Sequence, residues 1–141
     1  MDFRQTYCFD DVLLTPKYSD IKSRAEVNLK TKLSPTIDLG LPVISSPMDT
    51  VTESRMAIAM QKAGALGVIH RYNTIQQQAE LVHLAVPGVN TVAAAVGVTG
   101  DFFERAQEVV AAGADVICID IAHGHHIMMK EALKRLRSHF P

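Results

Sequence analysis

From residue 41 onward the chain alternates short, almost wholly apolar runs with longer stretches in which apolar residues recur every three or four positions. Four such runs, residues 42–46, 66–70, 91–97 and 115–120, are bounded by turn residues and predict strands. The stretches that follow them, 53–62, 75–85, 102–112 and 127–140, have helical period, and the unit repeats roughly every 24 residues. Strands that are apolar on both faces, such as Val92-Ala93-Ala94-Ala95-Val96, suit a parallel sheet shielded by helices. The predicted class is α/β.

Helix starts point the same way. Thr50 with Glu53, Thr74 with Gln77 and Asp101 with Glu104 each set a side-chain acceptor three residues before an acidic or amide residue, the pattern of a capping box. Two predicted helices end in Ala-Gly-Ala, at Gly64 and Gly113, where glycine supplies the left-handed turn that stops a helix. Residues 1–40 lack helical period. Within them Asp10-Asp11-Val12-Leu13-Leu14-Thr15-Pro16 reads as an extended arm and Val27-Asn28-Leu29-Lys30-Thr31-Lys32-Leu33 as a short strand or hairpin, together expected to plug one end of the sheet. The period fits both an open doubly wound sheet and a closed barrel. No strand is followed by the glycine fingerprint of a dinucleotide-binding doubly wound domain, which favours the barrel. The chain then divides into an arm, 1–40, and the first four of the eight strand–helix units of a (β/α)8 TIM barrel, 41–141.

Composition narrows the function classes. Hydrophobic residues make up 48% of the 141 and charged residues 21%, ordinary usage for a soluble domain, and no apolar run reaches the length that spans a bilayer. A formal net charge of -1 without a basic cluster argues against nucleic-acid binding. The start lacks the basic-then-apolar pattern of a secretory signal and there are two cysteines, so a reducing cytoplasm is the expected location.

In a barrel, chemistry gathers on the loops after the strands. The run Ser45-Ser46-Pro47-Met48-Asp49-Thr50-Val51-Thr52-Glu53 is such a loop, and its position favours a binding role for Met48 over core gap-filling. Asp120 ends the fourth predicted strand, where a carboxylate serves equally as a loop cap or as an acceptor for a ligand. The loop Gly97-Val98-Thr99-Gly100 is open enough to admit a ligand, although two isolated glycines more simply connect strand to helix. His70, His123, His125 and His126 raise the question of a zinc site, but no HExxH or cysteine pair accompanies them and consecutive side chains diverge, so no metal is expected. Cys118, inside an apolar strand, reads as a small buried hydrophobe with a raised thiol pKa. Cys8 has no base nearby in sequence, and neither reads as a nucleophile.

Four ordered stretches resemble the IMP dehydrogenase and GMP reductase family: Phe9–Pro16, Ser45–Glu53 continuing into Met56-Ala57-Ile58-Ala59-Met60, Gly67-Val68-Ile69-His70-Arg71, and Ile119-Asp120-Ile121-Ala122-His123-Gly124-His125. The resemblance implies a purine nucleotide oxidoreductase on a (β/α)8 barrel, handling IMP, XMP or GMP with NAD, or with NADP in a reductase. It assigns Ser46, Met48 and Asp49 to the nucleotide, with Met48 beside the purine, and Asp120, Ile121 and Ala122 to the nicotinamide cofactor. It implies a homo-tetramer, and a potassium requirement whose site would lie past residue 141. The family's cysteine nucleophile, on a loop after the sixth strand, would also lie past Pro141, so the chain alone is expected to be inactive. Only Val86-Pro87-Gly88-Val89-Asn90 stands where many dehydrogenases insert paired CBS modules, so no CBS domain is expected.

Subfamily signals divide. Ser45-Ser46 is dehydrogenase-like, whereas Ile121-Ala122 after Asp120, and Lys22-Ser23-Arg24-Ala25-Glu26-Val27 in the arm, are closer to the reductases. The dehydrogenase is the preferred reading and the reductase the alternative. From another class, a half-barrel of this kind would serve as a non-catalytic binding or assembly module.

Overall fold

The computed structural model describes residues 3–140. The arm runs exposed from residue 3 to the 3-10 turn Arg24–Glu26, then forms a hairpin of β1 (Thr31–Lys32) and β2 (Asp38–Leu39), paired antiparallel. Four strands follow, β3 (Ile44–Ser45), β4 (Leu66–Ile69), β5 (Ala93–Val96) and β6 (Val116–Ile119), all parallel and side by side in chain order. Helices α1 (Ser54–Lys62), α2 (Ile75–Ala85), α3 (Phe102–Ala111) and α4 (Ile127–His139) alternate with them. Each strand is shorter than its predicted run, which took in flanking polar or turn residues such as Ser46, His70, Gly97 and Asp120.

The two faces of the sheet are dressed differently. Ile69 and Ala94 pack with Ala57 of α1, Val82 and Ala85 of α2 and Val109 of α3, while Val96 joins Phe102, Ala106, Ala132 and Leu136 of α3 and α4. These strand residues share one face, since register pairs Ile69 with Ala94 and Ala94 with Ile117. The opposite face presents Leu66, Val68, Ala93 and Ala95, packed with Leu39 of β2. All four helices therefore lie on one side. A doubly wound sheet puts helices on both, whereas a barrel keeps them outside a side-chain-filled interior, so the sheet is the first four βα units of a TIM barrel. The hairpin contributes Leu39 to that interior face, and the arm before it makes little contact: Phe9, Leu13 and Leu14 are almost fully exposed.

Glycines set two close features. Gly64 and Gly113 have φ of 82° and 111°, the left-handed conformation expected after α1 and α3. At Gly67 in β4 an added Cβ would meet the Ala57 Cα at 2.6 Å, so α1 rests directly on strand backbone.

Capping differs at two of three predicted sites. Thr74 forms the full box with Gln77. Thr50 does not cap α1; the helix starts one turn later, with Glu53 at the cap position and no side-chain bond, because the chain from Met48 to Thr52 closes a turn of its own with the Val51 and Thr52 amides donating to the Met48 carbonyl. Asp101 occupies the cap of α3, but its carboxylate accepts from Arg105 rather than from a backbone amide.

Candidate functional site

The C-terminal ends of β3 to β6 form one rim, and each carries a distinct polar group. At β3 the loop 46–53 is pinned by Thr52, a wholly buried threonine. Its hydroxyl lies 2.7 Å from the Ser46 carbonyl, to which it donates, and 2.8 Å from the Ser45 hydroxyl. Its carbonyl accepts the His70 amide at 3.2 Å, which ties the loop to the end of β4. The pinned backbone leaves Ser46, Met48 and Asp49 exposed. Asp49 caps the next amide, Thr50 N to Oδ1 at 3.0 Å, and lines an open groove of about 590 Å³ with Glu53, His70, Tyr72 and residues of α2.

His70 is buried against this groove. Its Nδ1 accepts the Tyr72 amide at 3.1 Å, so the ring proton sits on Nε2 and is shared with Glu53 Oε1 at 3.4 Å. This histidine orders the loop, and among the described residues no three His, Cys, Asp or Glu side chains converge as a metal site.

Arg71 reaches sideways from β4 to β6. Its Nε donates to Asp120 Oδ2 at 3.0 Å and its Nη2 to the Asp120 carbonyl at 3.3 Å, with both side chains partly exposed. The guanidinium crosses β5 at Gly97, where an added Cβ would lie 3.4 Å from Nη1. The Arg71 guanidinium thus lies in contact distance beside the glycine after β5. Ile121 is half-buried and Ala122 exposed just beyond. Below Asp120, burial pushes the Cys118 thiol up, and the Asp120 charge adds to the rise. Cys8 is exposed in the arm, where first its backbone amide, donating to Asp11 Oδ2 at 3.0 Å, and then its thiol, at 3.1 Å from the same oxygen, hold the Asp11 carboxyl below its usual range.

Of the predicted residues, the structure gathers Ser46, Met48 and Asp49 on one loop and sets Asp120, Ile121 and Ala122 three strands across the same rim. Sequence reasoning missed Thr52, Arg71, Gln78 and Arg105. Gln78 was the most visible, a polar residue on the stripe Gln78, Val82, Ala85 that α2 buries.

A one-sided parallel βα sheet with its polar groups on the strand-end rim defines a barrel-type α/β protein whose site lies on its loops. The profile of the IMP dehydrogenase / GMP reductase domain matches residues 6–141. Among curated proteins, the chain is 32% identical over 188 aligned positions to the inosine-5'-monophosphate dehydrogenase of Borreliella burgdorferi, covering 98% of this chain and 46% of that protein. It is 34% identical to that of Cryptosporidium parvum, covering 92% of this chain and 42% of the other, and 57% identical to that of Nitrosopumilus maritimus over 58% of this chain and 17% of the other. The chain belongs to the IMP dehydrogenase / GMP reductase family, and spans less than half the length of these relatives. No described helix is long and apolar enough to cross a membrane.

Proposed function

We propose that residues 41–141 are the first half of the catalytic barrel of a purine nucleotide oxidoreductase of the IMP dehydrogenase type, with residues 1–40 as its arm. The observation that carries this is the rim: an exposed Ser46–Asp49 loop and an arginine-paired Asp120 stand at the same ends of parallel strands, in a chain of this family. Ser46 and Met48 hold IMP, the thioether lying along the purine, with Asp49 beside them. Asp120, with Ile121 and Ala122, faces the nicotinamide ribose. The residues present suit that cofactor, because Asp120 remains partly exposed while two hydrogen bonds from Arg71 orient it. NAD, when bound, supplies the acceptor for the hydride that leaves carbon 2 of IMP.

The oxidation of IMP to XMP also needs a thiolate, and neither cysteine here serves. Cys118 is half-buried with a raised pKa, and Cys8 lies on the exposed arm. The nucleophile therefore comes from outside these 141 residues, as would any potassium site, and the isolated chain is silent. Only Val86-Pro87-Gly88-Val89-Asn90 follows α2 before the run into β5, which supports a chain without the paired CBS insert. GMP reduction with NADPH is the second reading, favoured by the Asp-Ile-Ala-His-Gly-His wording from Asp120, while relatives named as dehydrogenases favour the first. A cytoplasmic tetramer completes the proposal.

Calorimetric titration of the full gene product with IMP tests the assignment. Ser46→Ala and Met48→Ala are each expected to weaken IMP binding by about tenfold, the equivalent of one lost hydrogen bond or apolar contact. Unchanged affinity in both variants would remove the loop from the site.

A further inference from the structure

Behind the rim lies a buried polar chain that ordinary core packing does not need. The β4–β5 ladder ends at Ile69 opposite Ala94, while β5 continues beside β6 to Val96, whose carbonyl accepts the Asp120 amide at 2.8 Å. Beyond Ile69 strand β4 turns away, its His70 amide going to Thr52 instead. The carbonyls of Val92 and Val96 point to β6, so by alternation that of Ala95 faces the gap left by β4. Gln78, wholly buried on α2, fills that gap. Its Nε2 donates to the Ala95 carbonyl at 2.8 Å and lies 3.5 Å from that of Ile69.

The other end of the amide is held in turn. Gln78 Oε1 accepts Arg105 Nη1 at 3.0 Å, and Arg105 Nη2 donates to the Asn73 carbonyl at 3.0 Å and to Asp101 Oδ2 at 2.8 Å. Arg105 is itself buried on α3. One planar fork thus joins α3 to α2, to the loop after β4 and to the start of α3, a geometry that guanidinium supplies and ammonium does not. Asn73 is two residues past Arg71, and Ile69 two residues before it. The network clamps the backbone on both sides of the arginine that holds Asp120.

We propose that Gln78 and Arg105 are positioning residues: they set the opening between β4 and β5 and so the reach of Arg71 to Asp120, tuning the dinucleotide half of the site more than the nucleotide loop, which the Thr52 hydroxyl also pins from within. This rests on Asp120 facing the dinucleotide, as proposed above.

The full gene product is titrated with IMP, and separately with NADH in saturating IMP, a pair without a hydride acceptor, alongside melting curves. Arg105→Lys and Gln78→Met are expected to weaken NADH binding about tenfold, the loss of a charge-assisted bond, and IMP binding less than twofold. Asp101→Asn, at a more exposed position, shows the same split in smaller measure if either core variant fails to fold. Equal loss for both ligands, or a lowered melting temperature with both affinities intact, overturns the proposal and leaves a purely structural network. Asp120→Asn separates the two readings. If it leaves NADH binding intact, the Asp120 assignment and this inference fall together; if it weakens NADH while the network variants do not, only the positioning role fails.

Discussion

Cys118 lies in β6 and Asp120 just past its end, and burial together with the Asp120 charge raises the Cys118 thiol pKa, which makes the thiol a reporter of the rim. Burial first, then the Asp120 charge, favours the protonated thiol in the folded chain. A folded pKa raised above the unfolded one contributes stability below the ordinary thiol range, and that contribution disappears as pH rises through the raised value. Wild type should therefore lose more stability to denaturant between pH 7 and pH 10 than Cys118→Ala does. Alkylation with iodoacetamide at pH 8 should label the exposed Cys8 well before Cys118, with Asp120→Asn narrowing the gap. The apolar strand around Cys118 already foretold its raised pKa. The role of Arg71 was not foretold, because its partner lies 49 residues away and only the side-by-side order of β4, β5 and β6 brings them together. That pair is partly exposed, so Asp120→Ala should cost under about 1 kcal/mol of stability, read from urea midpoints.

At the scale of elements, capping shows how far local wording goes. Thr74→Ala should lower stability by about 1 kcal/mol, read from urea midpoints, because both halves of its box are formed. The same motif at Thr50 fails since the Met48–Thr52 turn captures those amides first, so Thr50→Ala should be nearly neutral in the same measurement. Gly67→Ala should be costlier, about 1–3 kcal/mol or more, because the new Cβ meets helix backbone that cannot step aside as a side chain would. Helix spans were legible to within a residue because their apolar stripes are long. Strand ends were less so, since flanking residues such as Ser46, His70 and Gly97 extend the runs without belonging to the strands. Gln78 lies on the buried stripe of α2 and Arg105 on that of α3, and only the gap between β4 and β5 shows what their polar ends bond to.

Over the whole molecule the sheet has two open edges among the described residues, β3 and β6, each paired on one side only. The arm adds exposed Phe9, Leu13 and Leu14, and unpaired strand backbone with loose apolar side chains promotes association. Sedimentation of the isolated 141-residue polypeptide at micromolar concentration should show species larger than a monomer; a single compact monomer would contradict this. Periodicity, end signals and four ordered motifs were enough for the sequence by itself to determine the α/β class, the order of units and the family, because each depends on residues close together in the chain. Tertiary structure alone decided that all helices share one face, that Arg71 crosses Gly97 to Asp120, and that a buried Gln78–Arg105 chain stands behind them. Those depend on strand register and splay, which no local pattern encodes.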